Sequence, residues 1–298
     1  MAEIICLIAD PARTPLARPL VDEVARALGG RPRWLAAGEA CEIEIADRGG
    51  ADDQGAGALE RARAIVAGAP LDVVAVPAAD REKRLLVSDM DSTIITVECI
   101  DELADVLGIK PEVAAITRRA MAGELDFRAA LEARVALLAG LPVSAFDEVY
   151  RERVRLMPGA ESLVRTMRAR GALTALVSGG FVPFAERVQR AVGFDLVQAN
   201  RLEAIDGRLT GRLLEPVHGP DSKRAMLERL IAERGLRRSQ SLAVGDGAND
   251  LPMLAAAGLG VAFRAHAPVA AAARVAISHG DLSALLYLQG IAKREFVT

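Results

Sequence analysis

The sequence places two carboxylates, Asp89 and Asp91, one position apart and directly after the apolar run 85–88. In an open parallel sheet, ligands bind beyond the carboxyl ends of the strands, which is where these side chains would lie. One carboxylate of such a pair could attack phosphorus as a nucleophile, while the other moves a proton to and from the leaving oxygen. The alternative is that the segment 89–93 is only a turn or a helix cap.

A second acidic segment follows another apolar run. Asp246, Asn249 and Asp250 lie within residues 245–250, directly after the run 241–244. Several carboxylates in one cleft would repel one another and a phosphate group unless a cation joined them. Mg²⁺ suits such a site because it takes oxygen ligands and bridges carboxylates to phosphate. A glycine-rich turn that caps the next helix is the alternative, but it leaves the number of acids unexplained.

Two further segments offer groups that could hold phosphate oxygens. Ser178 and Gly179 follow the apolar run 173–177, and a hydroxyl next to a glycine N–H can form a phosphate cradle. Lys223, near the start of a helix predicted to reach about residue 232, could neutralise phosphate oxygens and the attacking carboxylate. Taken singly, these are an ordinary loop and a solvated lysine. Their occurrence together with both acidic segments favours one site.

The elements that position these residues predict an α/β fold. From residue 84 onwards, short apolar runs alternate with helical patterns, as in a doubly wound parallel sheet with helices on both faces. The predicted strands are 85–88, 173–177, 241–245, 258–262 and 274–277. Roughly 80 residues separate the first two strands, far more than a crossover requires. The helical period of residues 97–155 predicts a helical insertion that could cover the site. Asp206-Gly207 predicts the turn of a hairpin over 196–213.

Together the four segments resemble the haloacid dehalogenase (HAD) superfamily, whose members pass a phosphoryl group through an aspartyl-phosphate. Over residues 84–290 the sequence is most similar to the members that hydrolyse O-phospho-L-serine to L-serine and phosphate, the last step of L-serine biosynthesis. The resemblance implies that Asp89 is the nucleophile and Asp91 the general acid and base. It also implies that Ser178, Gly179 and Lys223 bind the phosphate. The Mg²⁺ ligands would be Asp89, Asp246 and the Asp91 carbonyl. Asn249 and Asp250 would support this site, with Asn249 beside the substrate.

Two charged residues of the insertion match positions that contact the amino acid in the resembling enzymes. Glu98 and Arg134 would hold the ammonium and the carboxylate of O-phosphoserine, since a guanidinium binds a carboxylate at two points and a glutamate pairs with an ammonium. Without the resemblance, each would be taken for a charge on a helix surface.

Residues 1–78 form a separate pattern. Their runs follow a βαββαβ order with a Gly/Asp-rich loop after a run that ends at residue 46, and this order is similar to an ACT-like, ferredoxin-like α+β domain. Related domains bind amino acids. The alternative is a structural or dimerising appendage, in which case the chain would form a homodimer.

Composition excludes several classes of partner. The 298 residues carry 37 basic and 40 acidic side chains, and no basic run could neutralise a nucleic acid backbone. The longest apolar stretch is shorter than the roughly 20 residues of a membrane helix, and the first apolar run is too short for a signal peptide. We therefore expect a cytoplasmic protein without nucleic acid or membrane partners, whose substrate is a small molecule.

Two alternatives to this function remain open from the sequence. A phosphatase or phosphotransferase of the same superfamily could act on another small phosphomonoester with the same residues. An amino-acid-sensing regulator could instead carry an incidental catalytic part. The second ranks lower because every catalytic position is filled by a suitable residue type.

Overall fold

The structure is a computed structural model, and it describes residues 3–10, 12–45, 54–121 and 124–298. Its elements form two sheets, one antiparallel and one mainly parallel, which share a hydrophobic core. The predicted fold class, a doubly wound α/β sheet preceded by a small α+β unit, is confirmed. Among these residues, no helix combines the length and the apolar composition that a membrane crossing requires.

The first sheet, within the described ranges, has four strands in the order β2-β3-β1-β4, and neighbouring strands are antiparallel. The elements are β1 (Glu3–Ala9), α1 (Arg18–Leu28), β2 (Arg31–Ala36), β3 (Ala40–Ile45), α2 (Gln54–Ile65) and β4 (Leu71–Pro77). The predicted βαββαβ order is therefore present. Residue 46 and the Gly/Asp-rich loop after it lie outside the described residues.

The strand β1 is apolar on both faces because both faces are covered. Ile5 and Leu7 belong to a cluster with α1 and α2, whereas Ile4, Cys6 and Ile8 belong to a cluster with the C-terminal segment of the chain. A strand with one solvated face would alternate apolar and polar residues, and this one does not. The first sheet is therefore packed firmly between its own helices and the remainder of the chain.

A buried carboxylate also ties the two sheets together. Asp72 in β4 accepts hydrogen bonds from the backbone N–H groups of Ser278, His279 and Gly280, at 2.7, 3.0 and 2.7 Å. Asp72 is only 5% exposed, so its carboxylate depends on these donors rather than on water. This contact fixes β4 against the segment that follows the last strand of the second sheet.

We expect Asp72→Ala to lower the free energy of unfolding by roughly 2–4 kcal/mol, because three N–H groups would lose their buried acceptor. Urea denaturation of the variant and the unchanged protein measures the difference. Asp221→Ala is the matched control, since it removes a carboxylate whose side chain is 95% exposed. It should change the free energy by less than about 0.5 kcal/mol. Equal stability of Asp72→Ala and the unchanged protein would contradict this assignment.

The second sheet, among the described residues, has seven strands in the order β11-β10-β9-β5-β6-β7-β8. The strands are β5 (Leu85–Ser88), β6 (Leu173–Phe181), β7 (Leu196–Ile205), β8 (Arg208–Leu214), β9 (Ser241–Gly245), β10 (Leu259–Phe263) and β11 (Val275–Ile277). All pairs are parallel except the hairpin β7–β8. Its turn residues Asp206 and Gly207 have φ of 50° and 74°, as a two-residue hairpin turn requires.

Helices fill the predicted insertion and cover both faces of this sheet. Between β5 and β6 lie α3 (Cys99–Val106), α4 (Lys110–Met121), α5 (Phe127–Ala136), α6 (Ala145–Glu152) and α7 (Ala160–Ala169). The remaining helices are α8 (Val182–Val192), α9 (Pro220–Glu233), α10 (Leu251–Ala256), α11 (Ala267–Ala272) and α12 (Ala284–Leu288).

The strand β6 is longer than the sequence predicts. We expect it to end at Val177, because Ser-Gly-Gly is typical of a loop, but it continues to Phe181. Its register with β7 shifts between Val177 and Phe181. The prediction of the boundary is wrong because a bulge keeps the backbone extended while it leaves the ladder.

Candidate active site

The carboxyl ends of three neighbouring strands meet at one edge of the parallel sheet. β5 lies between β6 and β9 and is parallel to both. Asp89 follows β5, and its backbone N–H donates to the carbonyl of Val244 in β9 at 3.0 Å. Ser178 lies in the bulge of β6, and Asp246 follows β9. The topology therefore brings these side chains to the same end of the sheet.

Lys223 lies between two carboxylates beneath this edge. Its Nζ is 2.7 Å from Asp89 Oδ1 and 2.7 Å from Asp250 Oδ1, and all three side chains are buried. Burial alone would lower the pKa of Lys223, but the charges of Asp89 and Asp250 outweigh it and hold this pKa above its usual range. The ammonium is therefore a fixed cation at the base of the site.

The carboxylates outnumber this cation. Burial and then repulsion from Asp250 raise the pKa of Asp89 well above its usual range, although Lys223 opposes the shift. Burial also raises the pKa of Asp246 to about 6, against the hydroxyl of Thr93, which donates to Asp246 Oδ1 at 2.9 Å. Asp89, Asp246 and Asp250 each place a carboxylate oxygen within 4.8 Å of the others. An oxygen-only cluster with excess negative charge fits a hard divalent cation.

Asp91 is held by donors from two elements. Its Oδ1 accepts from the backbone N–H of Cys99 at the start of α3, at 2.9 Å, and its Oδ2 accepts from the Ser178 hydroxyl at 3.2 Å. The Ser178 oxygen in turn accepts from the N–H of Gly180 at 2.8 Å. Burial raises the pKa of Asp91, and the bonds from Cys99 and Ser178 oppose the shift. A raised pKa suits a carboxyl group that must give up a proton near neutral pH.

A cavity of about 530 Å³ lies over these groups and is lined from two sides. The sheet edge contributes Asp89, Asp91, Gly179, Asp246 and Asn249, and the inserted helices and their connections contribute Glu98, Ile100, Thr117, Phe127, Leu131 and Arg134. The helical insertion is thus one wall of the same cavity.

Glu98 and Arg134 supply the charges of that wall. Glu98 opens on the cavity, and its Oε1 accepts from the Ser92 hydroxyl at 2.6 Å. Desolvation within the cleft and then the charge of Asp91 raise the pKa of Glu98 to about 7, and Ser92 opposes the shift. Arg134 donates from Nε to the carbonyl of Ala130 at 3.2 Å and makes no ion pair with any residue that the structure describes. Its guanidinium can therefore donate hydrogen bonds to the carboxylate of a ligand.

Every predicted site residue lies at this cavity or directly beneath it. Ser178, Lys223 and Asp250 are 1%, 1% and 0% exposed and lie below the lining, while the other predicted residues line the cavity. The hydroxyl of Ser178 is turned towards Asp91 rather than into the cavity.

Sequence reasoning missed three residues of the site. A Cβ at Gly180 would lie 2.6 Å from Asp91 Oδ2, so only glycine fits there. Thr93 binds Asp246, and its hydroxyl next to two acids was a usable signal. The ring of Phe127 lies over Gly219, where a Cβ would come within 2.8 Å of two ring atoms. Phe127 fits the apolar period of its helix, so nothing in the sequence distinguishes it from a core residue.

The fold and this edge of the sheet define a class of enzyme. A model of the haloacid dehalogenase-like hydrolase family matches residues 86–255, more than half of the chain. That span contains both acidic segments, Lys223 and the inserted helices. The chain belongs to the haloacid dehalogenase-like hydrolases.

Within this family the chain is similar to bacterial phosphoserine phosphatases. It is 48% identical over 228 residues to the phosphoserine phosphatase of Streptomyces coelicolor, across 76% of this chain and 55% of that protein. It is 48% identical over 210 residues to the phosphoserine phosphatase of a Polaromonas species, across 69% of this chain and 89% of that protein. The chain therefore spans about half the length of the first relative and most of the second. A solved structure, the phospho-aspartyl intermediate analogue of phosphoserine phosphatase, matches with a TM-score of 0.64 at 37% identity, over 69% of this chain and 98% of that one.

Proposed function

We propose that this protein is a Mg²⁺-dependent phosphoserine phosphatase that hydrolyses O-phospho-L-serine to L-serine and phosphate. The observation that carries the proposal is the cavity, which joins carboxylates and a buried lysine at its base to Glu98 and Arg134 on its helical wall. One end suits a phosphoryl group and the other a zwitterionic amino acid. The names of the matched relatives agree with this pairing.

In the first step, an oxygen of Asp89 attacks phosphorus in line while the bond from phosphorus to the serine oxygen breaks. Asp91 donates its proton to the departing serine oxygen. Lys223, the Gly179 backbone and Ser178, whose hydroxyl would turn from Asp91 to the phosphoryl group, hold the equatorial oxygens as charge spreads over them. The raised pKa of Asp91 favours the protonated form that this step needs.

In the second step, Asp91 acts as a general base. As a carboxylate, it takes a proton from a water molecule, whose oxygen attacks the phosphorus of the aspartyl-phosphate. The bond from phosphorus to the Asp89 oxygen breaks, which restores the carboxylate and releases inorganic phosphate.

The acidic cluster would hold the Mg²⁺ ion. Asp89 and Asp246, with the carbonyl of Asp91, would be its ligands, since both carboxylates line the cavity. Both oxygens of Asp250 already accept hydrogen bonds, from Lys223 at 2.7 Å and the Gly247 N–H at 3.1 Å, so Asp250 acts in support. When bound, the ion neutralises carboxylate and phosphate charge.

Glu98, Arg134 and Asn249 would select the substrate. Arg134 would bind the carboxylate of the serine moiety and Glu98 its ammonium, while Asn249 lies beside the phosphoryl end of the same cavity. The apolar residues of the lining would limit the access of water to the reacting groups.

We assign the domains in the same terms. Residues 1–78 would be an ACT-like domain, residues 84–298 the phosphatase core, and residues 97–155 a helical cap that closes over the site. The cap assignment is supported by its share of the cavity wall. A cytosolic location and a homodimer stay predictions of the sequence.

The test is phosphate release from O-phosphoserine and from a panel of other phosphorylated metabolites, with and without Mg²⁺. We expect turnover to depend on Mg²⁺ and kcat/KM to be highest for O-phosphoserine. Equal rates across the panel would favour a phosphatase for another small phosphomonoester. Transfer of phosphate to an added alcohol in preference to water would favour a phosphotransferase.

We expect L-serine, the product, to inhibit more weakly as the pH falls through about 7, because protonation of Glu98 removes the charge that holds the ammonium. Its inhibition constant should rise about tenfold between pH 8 and pH 6. Serine itself does not titrate in this range, so the assay reports on the protein. Glu98→Gln should bind serine weakly and without this pH dependence. A flat pH profile for the unchanged protein would contradict the assignment.

A further inference from the structure

The bulge of β6 takes backbone groups out of the sheet ladder at the proposed site. Val177 pairs with Gln198 and Phe181 pairs with Asn200, so four steps along β6 match two steps along β7. Of the residues 178–180 between these pairs, Gly179 and Gly180 line the cavity. Buried backbone groups need hydrogen-bond partners, so another group must replace the lost ladder.

The side chain of Asn200 supplies a partner for one of these groups, the carbonyl of Gly179. Asn200 is fully buried, and its Nδ2 donates to the carbonyl of Gly179 at 2.8 Å and to the carbonyl of His218 at 2.9 Å. Its Oδ1 accepts from the N–H of His218 at 2.7 Å. The reverse orientation of the amide would set its oxygen against two carbonyl oxygens, so the contacts define the orientation. The amide therefore pairs with both backbone groups of His218, as a neighbouring strand would.

His218 lies two positions before the first residue of the helix that carries Lys223. The next residue, Gly219, caps α9, and its carbonyl accepts from the N–H groups of Ser222 at 3.0 Å and Lys223 at 3.2 Å. A shift of His218 would therefore move the start of α9 and the Lys223 ammonium with it.

We propose that Asn200 is a positioning residue for phosphoryl transfer, because its amide fixes the Gly179 backbone relative to the start of α9 and hence to Lys223. The proposal rests on the proposed function of this site. Asn200 is not among the described residues that line the cavity, so it acts through Gly179 and Lys223. Both groups would hold oxygens of the transferring phosphoryl group, where small displacements have large effects on rate.

The test compares two variants of the full chain in the presence of Mg²⁺. Asn200→Asp keeps the size of the side chain but places an acceptor against two carbonyl oxygens. Thr174→Val is the matched control, since Thr174 is also fully buried in β6. Valine would lose two bonds of the hydroxyl to Asp195 away from the site, one donated to Oδ2 at 3.0 Å and one accepted from the N–H at 3.2 Å. Four quantities are measured: kcat, the inhibition constants of orthovanadate and of L-serine, and the free energy of unfolding. Orthovanadate mimics five-coordinate phosphorus, and L-serine occupies only the amino acid end.

We expect Asn200→Asp to lower kcat by about 10- to 100-fold and to raise the inhibition constant of orthovanadate by a similar factor. The inhibition constant of L-serine should stay within about twofold, since Glu98 and Arg134 are not held by Asn200. Thr174→Val should lose stability but keep kcat and both inhibition constants within about twofold of the unchanged protein.

A merely structural role would show a different pattern. The proposal is overturned if Asn200→Asp loses stability while kcat and the inhibition constant of orthovanadate stay within twofold. It is also overturned if inhibition by L-serine weakens as much as inhibition by orthovanadate. If Asn200→Asp does not fold, Asn200→Ser, whose hydroxyl can donate to only one carbonyl, is judged by the same criteria. If the unchanged protein binds orthovanadate but does not hydrolyse O-phosphoserine, the proposed function fails and the orthovanadate comparison still decides the role of Asn200. If the unchanged protein neither binds orthovanadate nor hydrolyses O-phosphoserine, both the proposed function and the proposed role of Asn200 are overturned.

Discussion

Asp89→Asn is expected to lower kcat for O-phosphoserine by about 10⁴-fold or more while the protein stays folded. An amide is a poor nucleophile, and loss of a nucleophile removes the covalent route rather than one contact within it. Folding should persist because the variant loses a buried negative charge while Lys223 keeps its 2.7 Å bond to Asp250. Steady-state phosphate release and urea denaturation measure the two effects.

Two other variants show whether the loss of activity is specific to Asp89. Asp91→Asn should be slowed by about 10²- to 10⁴-fold, the usual contribution of proton transfer. Asp221→Asn, on an exposed side chain of α9, should retain full activity. Near-native turnover by Asp89→Asn would show that another group attacks phosphorus.

Lys223→Met is expected to damage both activity and stability. The variant would leave Asp89 and Asp250 buried without the ammonium that lies 2.7 Å from each. Removal of one partner from a buried ion pair is worth about 3–5 kcal/mol of stability, so a loss of this order is expected on urea denaturation. We expect kcat to fall by about 10²- to 10³-fold, as for other groups that stabilise developing oxyanion charge.

The same variant should respond more strongly to metal than the unchanged protein. With no ammonium among the carboxylates, a bound divalent cation would offset more negative charge, so Mg²⁺ should recover part of the lost stability. Arg224→Met, which neutralises an exposed cation on the same helix, is the control and should show neither effect. An unchanged free energy of unfolding in Lys223→Met would contradict the picture of a charge network centred on this lysine.

The parts of the site that the sequence predicts are those that directly follow a strand or open a helix. Asp89, Asp246 and Lys223 stand at such positions, and the apolar runs beside them are long enough to reveal the parallel sheet. The helical insertion is also visible, because its period of 3.6 continues between two strands that would otherwise need only a short crossover. Local pattern and global topology agree at these positions.

The parts that the sequence does not predict depend on partners distant in the chain. Asn200 stands in a strand whose pattern gives no sign that its amide binds Gly179 and His218. Asp72 binds backbone groups 206 to 208 positions further along the chain. Phe127 follows the apolar period of its helix, yet its ring lies against Gly179 and Gly219. Such contacts arise only when the sheets and helices pack, so no local pattern encodes them.

Rapid quenching tests whether an aspartyl-phosphate forms during turnover. The protein is mixed with ³²P-labelled O-phosphoserine and Mg²⁺, quenched in acid within one turnover, digested and sequenced by mass spectrometry. We expect label that survives acid, is released by hydroxylamine and lies on Asp89, with none on the Asp89→Asn variant. Turnover that leaves the polypeptide free of label, or places the label on another residue, would contradict it.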